Sequence, residues 1–319
     1  MRSQLFILLQ WILAGALAPV AAQDGTLLER TPFEWPKEFV DDMRASMPEV
    51  DSLLTAVNVY RISYRSDGLK VKGFLAEPAK AGHYPSIIYN RGGNREFGKI
   101  GPGQLLFYVV NIARWGYVVV ASQYRGNDGG EGQEEFGGAD VNDVLNLLPV
   151  LGQVPSADTT RIGMFGGSRG GLMTYLSLTR TTRIKAAVVL AGMTDAKRSI
   201  AERPEMGTEV YAQLMPGYAL DRDSVLATRS PVQWAEKICP NTPILILHGT
   251  ADWRVSPREA MDMAERLYEL KRPFRMALFE GGDHGLSEFR KEADQATRDF
   301  LDRYVRDGSP WPSMKPHGR

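Results

Sequence analysis

Ser168 has the sequence context of a reactive serine. It lies in Gly166-Gly167-Ser168-Arg169-Gly170, a Gly-x-Ser-x-Gly pattern that follows the apolar run 161–165 and precedes a helical pattern. A strand, a sharp turn and a helix in this order raise a serine hydroxyl above the sheet. The amides at the N-terminus of the helix favour negative charge beside it. The pattern therefore predicts a serine nucleophile that attacks a carbonyl carbon and forms an acyl intermediate.

A serine hydroxyl is a weak nucleophile without a base, and histidine is the usual base. The chain has four histidines, which are His83, His248, His284 and His317. His83 precedes a predicted strand and His317 lies in a tail rich in Pro and Gly, whereas His248 ends a predicted strand and is expected to be structural. His284 lies in a Gly-rich loop after the last predicted strand, where the chain order Ser, Asp, His places the base. We predict His284 as the base.

The acid that orients the base must lie between the serine and the histidine in this chain order. Asp252 follows the predicted strand 244–247, and a carboxylate there can hold the tautomer of the imidazole and stabilise the imidazolium. Asp283 is the alternative acid. It is adjacent to His284, and neighbouring side chains on a loop rarely point at each other, so Asp252 is the preferred candidate.

Acyl transfer also needs donors for the oxyanion. The backbone amide of Arg169, which follows the nucleophile, is the first predicted donor. The second is expected in the loop Asn90-Arg91-Gly92-Gly93-Asn94, because glycines let backbone amides approach a substrate. Gly93 is favoured for this role, with Gly92 as the second choice.

Metal and cofactor chemistry have little support in the sequence. No two histidines lie within four residues of each other, so the zinc-binding His-x-x-x-His pattern is absent. Gly126-Asn127-Asp128-Gly129-Gly130 is glycine-rich, but it lacks the Lys-Ser/Thr of a phosphate-binding loop and is interpreted as a surface loop. We predict no metal and no cofactor.

Strands and helices alternate along the chain and must position these residues. Predicted strands cover 57–65, 69–76, 85–90, 117–121, 161–165, 184–190, 244–247 and 275–279. Predicted helices cover 105–115, 141–151, 170–178, 257–270 and 288–305. The turn Ser66-Asp67-Gly68 joins the first two strands into an antiparallel hairpin. The later alternation predicts an α/β fold with a mostly parallel sheet and helices on both faces.

Residues 192–242 interrupt this alternation and contain no clear strand. We interpret the segment as an insertion over the carboxyl edge of the sheet, a candidate lid. Four of its side chains are predicted to give the active site an apolar lining: Met206, Tyr211, Met215 and Tyr218.

Composition restricts the class of protein. The chain of 319 residues is 43% hydrophobic and 24% charged, which excludes a disordered or fibrous protein. Lys plus Arg and Asp plus Glu both number 38, so there is no basic excess to indicate a nucleic-acid partner. The single Cys239 cannot form an internal disulfide. The oligomeric state is not predicted.

The N-terminal residues have the pattern of an export signal. Arg2 precedes a mostly apolar run over 5–17, and Val20 and Ala22 fit a cleavage site with small residues, so we predict a signal peptide over 1–22 and no stable membrane anchor. Export without disulfides favours a periplasmic or secreted bacterial protein. An N-terminal arm over 23–54, with one short helix near 35–47, is expected to follow.

Beyond the serine motif, longer segments resemble the catalytic domain of the prolyl oligopeptidase family of serine peptidases. The likeness covers 55–306 and is carried by Tyr124-Arg125-Gly126 with 137–144, by 161–171, by Arg229-Ser230-Pro231 with 243–255, and by Asp283-His284-Gly285. It implies an α/β-hydrolase fold over 55–306, followed by a tail over 307–319. It also implies the triad of Ser168, Asp252 and His284.

Three departures from the family pattern stand out. Members often have His-Gly-Gly-Pro where this chain has Arg91-Gly92-Gly93-Asn94. They often have Tyr after the catalytic serine, where Arg169 here is expected to add a charge near the site. They usually carry an N-terminal β-propeller, and too few residues separate Ala22 from the first predicted strand to form one.

The leading hypothesis is an exported serine peptidase that acts on short or blocked peptides through an acyl-enzyme. A carboxylesterase that cleaves small acyl esters would use the same residues and is the first alternative. A non-catalytic member that binds a ligand beneath the 192–242 insertion is the second.

Overall fold

The computed structural model describes residues 23–318, and the predicted signal peptide therefore lies outside the described residues. Within them, nine strands form one sheet in the order β1-β2-β3-β5-β4-β6-β7-β8-β9. The strands are β1 Leu27–Pro32, β2 Val57–Ser66, β3 Leu69–Pro78, β4 Tyr84–Asn90, β5 Val118–Ser122, β6 Ala157–Gly167, β7 Ile184–Leu190, β8 Ile244–Gly249 and β9 Phe274–Phe279.

The sheet has an antiparallel part and a longer parallel part. Strands β1, β2 and β3 pair antiparallel with one another, and β3 pairs antiparallel with β5. From β5 through β4 and β6 to β9, every pairing is parallel. This confirms the predicted α/β-hydrolase arrangement. The carboxyl ends of the parallel strands share one edge, which is where a ligand site is expected in such a sheet.

Helices cover both faces of the sheet. The α-helices are α1 Lys37–Ser46, α2 Val50–Ala56, α3 Pro102–Gln104, α4 Asn111–Ala113, α5 Val141–Leu145, α6 Leu147–Leu151, α7 Arg169–Leu178, α8 Ala196–Glu202, α9 Ala212–Leu214, α10 Arg222–Thr228, α11 Pro257–Glu269 and α12 Arg290–Leu301. Short π-helical segments cover Leu105–Val110, Met206–Tyr211 and Asp302–Arg306, and 3₁₀ turns cover Pro231–Gln233 and Ala235–Lys237. None of the helices within 23–318 has the length and hydropathy of a membrane span.

The valine run of β5 explains why two cores form. Successive side chains of a strand point to opposite faces of the sheet. Val118 and Val120 pack in one core with α5, α6 and α7, whereas Val119 and Ala121 pack in the other with the 105–110 segment and α12. The strand is buried on both faces, as its continuous apolar sequence predicts.

The N-terminal region differs from the prediction of a single short helix. It contains the strand β1 and two helices, α1 and α2, and β1 pairs with β2. Because β1 is an edge strand with partly exposed side chains, Leu27-Leu28-Glu29-Arg30-Thr31-Pro32 lacks the alternation that marks a half-buried strand. Its terminal Pro32 is tolerated at an edge. The domain boundaries near 54 and 306 stay predictions.

The insertion over 192–242 is helical and its start is anchored to α11. The carboxylate of Glu259 accepts hydrogen bonds from the backbone N–H groups of Thr194 at 2.6 Å and Asp195 at 2.8 Å. Burial raises the pKa of Glu259 to about 8 even though these two N–H groups oppose the shift. The base of the insertion is therefore held by a buried carboxyl group.

Candidate active site

The turn between β6 and α7 holds Ser168 in a strained backbone conformation. Its φ of 56° and ψ of −123° lie in a region that non-glycine residues rarely adopt. The N–H of Ser168 donates to the carbonyl of Leu190 at 2.9 Å, which ties the turn to β7. A Cβ at Gly170 would lie 2.0 Å from the carbonyl oxygen of Asn90, so only glycine fits beneath the serine. The sequence motif thus has a steric cause.

Asp252 and His284 meet across two loops at the carboxyl edge of the sheet. The Nδ1 atom of His284 lies 2.7 Å from Oδ2 of Asp252. The other carboxylate oxygen of Asp252 accepts the N–H groups of Arg254 at 2.8 Å and Val255 at 3.1 Å. These bonds fix the rotation of the carboxylate, so that Oδ2 faces the imidazole.

A second imidazole contacts the same carboxylate, which sequence reasoning missed. Nε2 of the buried His248 lies 3.1 Å from Oδ2 of Asp252 and 2.9 Å from the carbonyl oxygen of Val255. Burial alone would raise the pKa of Asp252, but the hydrogen bonds with His248 and His284 outweigh it and hold this pKa well below its usual range. In the sequence, the spacing of four residues between His248 and Asp252 was the feature that could have indicated this contact.

Asp283, the alternative acid, faces its own loop. Its Oδ1 atom accepts the N–H groups of Gly285 at 2.9 Å and Ser287 at 2.8 Å, and its Oδ2 accepts the hydroxyl of Ser287 at 2.8 Å. Within residues 23–318, no hydrogen bond joins its carboxylate to the ring of His284. The geometry therefore favours Asp252.

Ser168 and His284 line one cavity of about 400 Å³. One wall is aromatic, because the ring of Tyr89 stacks on Phe165 with centroids 5.9 Å apart and on Tyr108 at 5.7 Å. Apolar side chains from the first part of the insertion and from one preceding loop also line the cavity: Phe136, Met193, Met206 and Val210. The aromatic wall was not foreseen, because its rings come from separate elements.

The predicted oxyanion donors border the same cavity. Arg169 is the first residue of α7, where a backbone N–H has no partner within the helix. Gly93 has a φ of +66°, which favours glycine, and a Cβ there would lie 2.3 Å from the carbonyl oxygen of Phe97. Within residues 23–318, the N–H groups of Gly92 and Gly93 donate to no backbone carbonyl. Both remain available to an oxyanion.

The predicted apolar lining from the insertion is wrong in three of its four residues. Met206 lines the cavity, whereas Tyr211 and Met215 are buried in the core and Tyr218 packs against it. Tyr211 donates its hydroxyl to the sulfur of Met193 at 3.0 Å. Side chains three or four residues apart share one face of a helix, as Met206 and Val210 do here, so only one stripe of the insertion can reach the cavity.

The side chain of Arg169 adds no free charge to the site, contrary to expectation. It is buried and forms ion pairs with Glu134 and, at 2.5 Å, with Asp140. Burial disfavours the guanidinium, but the two carboxylates outweigh this effect and raise its pKa. These acids were overlooked because they lie in a glycine-rich stretch that looks like a surface loop.

Comparison with known proteins places the chain in a family. A model of the Prolyl oligopeptidase family matches residues 105–308. The chain is 35% identical over 218 residues to the uncharacterized peptidase YtmA of Bacillus subtilis (strain 168), covering 68% of this chain and 82% of YtmA. It is 24% identical over 247 residues to the acylamino-acid-releasing enzyme of Sus scrofa, covering 71% of this chain but 32% of that enzyme.

The fold has solved counterparts in larger peptidases. An acylaminoacyl peptidase of Pyrococcus horikoshii matches with a TM-score of 0.68 at 23% identity, over 81% of this chain and 43% of that one. The chain thus spans less than half the length of these larger proteins. All nine strands within residues 23–318 belong to one sheet, so this part contains no β-propeller. By its matched family model, the chain belongs to the prolyl oligopeptidase family of serine peptidases.

Proposed function

We propose that this protein hydrolyses short or N-terminally blocked peptides through an acyl-enzyme on Ser168. The observation that carries the proposal is the bond of 2.7 Å between His284 and Asp252, with His284 and Ser168 on one cavity. A nucleophile, a base and an orienting carboxylate in this relation are the parts that acyl transfer requires.

Acylation begins when the hydroxyl oxygen of Ser168 attacks the substrate carbonyl and its proton passes to Nε2 of His284. The carbonyl oxygen becomes an oxyanion, which the N–H groups of Arg169 and Gly93 stabilise. The C–N bond then breaks, and the imidazolium returns its proton to the leaving amine. Asp252 keeps the proton of His284 on Nδ1 and stabilises the imidazolium.

Deacylation repeats these steps with water as the nucleophile. His284 takes a proton from water, and the resulting hydroxide attacks the ester carbonyl of the acyl-enzyme. Collapse of the second oxyanion breaks the bond to Ser168 and returns the proton to its oxygen. The products are a carboxylic acid and a free enzyme, so no metal or cofactor is needed.

The size and the partly apolar lining of the cavity support a small acyl group with an apolar part. About 400 Å³ is near the lower end of the range for ligand sites. Its apolar lining includes the aromatic rings of Tyr89 and Phe165 and the side chains of Met193 and Met206. These groups suit an apolar side chain or a blocked terminus. The names of the acylaminoacyl and acylamino-acid-releasing relatives agree with a blocked substrate.

A panel of substrates tests the proposal. We expect an N-acetyl-aminoacyl anilide and a dipeptidyl anilide to be cleaved, intact casein to be cleaved far more slowly per bond, and Ser168→Ala to cleave none of them. Hydrolysis of p-nitrophenyl butyrate alone would favour the carboxylesterase alternative. Absence of labelling of Ser168 by a fluorophosphonate would favour the ligand-binding alternative, whereas casein cleaved as fast as the anilides would contradict the proposed scope.

The pH dependence of kcat/KM is a second test. A histidine must be neutral to accept a proton, and the ordinary pKa of histidine is about 6.5. Because the pKa of Asp252 is lowered, its carboxylate stays charged over the working range and adds no limb there. We expect kcat/KM for a neutral ester to rise with pH through one acid limb, as the histidine base loses its proton. A flat profile between about pH 5 and 8 would argue against a histidine base.

We also propose export to the periplasm or the medium of a bacterium. The support is the sequence pattern of residues 1–22, with Arg2, an apolar run and the small-residue site at Ala22. Sequencing the N-terminus of the protein recovered from its host compartment would locate the cleavage.

A further inference from the structure

The loop that offers the second oxyanion donor is held by two buried arginine side chains. Arg91 is fully buried behind this loop, and Arg169, which lines the cavity, is only 2% exposed. Arginine is seldom fully buried unless its charge is paired. The hydrogen-bond partners of these two guanidinium groups therefore show how the loop is held.

Arg91 fixes the peptide unit that carries the N–H of Gly93. Its Nη1 atom donates to the carbonyl oxygen of Gly92 at 3.1 Å. Its Nε atom donates to the carbonyl of Gln123 at 3.0 Å, so the side chain is itself anchored to the end of β5. In a trans peptide the C=O and N–H point in opposite directions. Holding the Gly92 carbonyl on the protein side therefore turns the Gly93 N–H away from it.

Arg169 fixes the next peptide unit. Its Nη1 atom donates to the carbonyl oxygen of Gly93 at 3.0 Å. The backbone N–H of the same residue is the first oxyanion donor in the proposed mechanism. One residue thus supplies one donor with its main chain and restrains the loop of the other donor with its side chain. The two donors are therefore linked through the side chain of Arg169 and its hydrogen bond to Gly93.

A buried carboxylate couples both arginines to this loop. Glu134 pairs with Arg169, lies 3.9 Å from Nη2 of Arg91, and accepts the backbone N–H of Arg95. Asp140 holds the other end of the Arg169 guanidinium at 2.5 Å. The ring of Tyr124 lies 5.0 Å from the guanidinium carbon of Arg91 and 4.8 Å from that of Arg169. The network leaves the peptides on either side of Gly93 little freedom to rotate.

We infer that Arg91 and Arg169 are positioning residues that hold the Gly93 N–H in line with the N–H of Arg169 to receive the oxyanion. The inference rests on the proposed function, since it concerns the oxyanion of that reaction. Arg91 and Arg169 both stand where the family usually has other residues, and the inference gives them a joint role. A glycine loop without such restraint would lose donor alignment, and preorganised donors account for a large part of acyl-transfer rates.

Arg91→Lys and Arg169→Lys test this inference in the full chain. A lysine keeps the charge but cannot span the acceptors that a planar guanidinium reaches together. We expect kcat for a p-nitrophenyl ester to fall about 10-fold to 100-fold in each variant, with KM changed by less than about 3-fold. The Ki of a peptidyl trifluoromethyl ketone, which forms a tetrahedral adduct, should rise in step with the loss of kcat/KM.

Arg125→Lys is the matched control, because Arg125 is also a buried arginine paired with a buried carboxylate, Asp143 at 2.7 Å. Its guanidinium bonds to Asp143 and Asp67 rather than to the loop of Gly92 and Gly93. This variant should lower Tm about as much as the test variants while leaving kcat and the Ki of the ketone near the wild-type values. If the control lost as much kcat as the test variants, general destabilisation would explain the loss, and the inference would be overturned.

Two outcomes separate this inference from the proposed function. If the wild-type protein cleaves the ester and both lysine variants keep wild-type kcat and Ki, the positioning role is wrong and the proposed function stands. If the wild-type protein cleaves nothing and Ser168 is not labelled, the proposed function fails first. If the lysine variants do not fold, Glu134→Gln, which keeps the shape of the side chain, replaces them in the test. It should lower kcat while KM changes little. An unchanged kcat in this variant would overturn the inference.

Discussion

Ser168→Ala and His284→Ala are each expected to lower kcat by about 10⁵-fold to 10⁶-fold, and the double variant is expected to lose little more. The serine cannot attack without a base, and without the serine the base has no hydroxyl proton to accept. Removing either one therefore ends the same pathway. The residual rate belongs to the oxyanion donors and to binding, which both variants keep.

His83→Ala is the control for the triad experiment, because His83 is exposed and precedes β4 at the edge of the sheet opposite the catalytic loops. It should retain wild-type kcat. The measurement is kcat for one activated ester and one anilide in the wild type and all four variants. If the losses of the two single variants multiplied in the double variant, Ser168 and His284 would act independently and the triad assignment would be wrong.

The parallel sheet could be predicted from sequence because burial on both faces leaves a simple signature. Runs such as Val118–Ala121 are continuous and apolar, and they recur between helical patterns. The serine turn was equally readable, since the steric limit at Gly170 restricts the residue type. Local constraints of this kind leave their mark on neighbouring residues in the chain.

Contacts between segments that are distant in the chain left no such pattern in the sequence. The rings of Tyr89, Tyr108 and Phe165 form one wall of the cavity, yet each belongs to a different element. The pairing of Arg169 with Glu134 and Asp140 joins a helix start to a loop about thirty residues earlier. Each residue alone resembles an ordinary aromatic or a solvated charge, so only the fold reveals the set.

The edge strand β1 was missed for another reason. An edge strand pairs on one side, and its side chains need not alternate between core and solvent. Four of its six residues carry charge, a hydroxyl or a proline ring, from Glu29 to Pro32. Its position is set by backbone pairing with β2, and this pairing depends little on the types of its residues.

The carboxylate of Asp252 is the second residue whose replacement should have a very large effect. Its Oδ1 atom accepts two backbone N–H groups, so an asparagine there would keep its carbonyl oxygen in that position. The amide NH₂ would then take the place of Oδ2, facing Nδ1 of His284 and Nε2 of His248. An NH₂ group can only donate, so Nδ1 of His284 would have to accept.

With Nδ1 as an acceptor, the proton of a neutral His284 moves to Nε2, the nitrogen that must receive the proton of Ser168. We therefore expect Asp252→Asn to lower kcat by about 10⁴-fold, less than Ser168→Ala, while folding is retained. Asp283→Asn, which removes the charge of the adjacent carboxylate without altering the bond of His284, should lower kcat by no more than a few-fold. Both are measured with the same ester, at a pH above the acid limb. A greater loss in Asp283→Asn than in Asp252→Asn would transfer the orienting role to Asp283, and it would leave the short contact between Asp252 and His284 without a catalytic purpose.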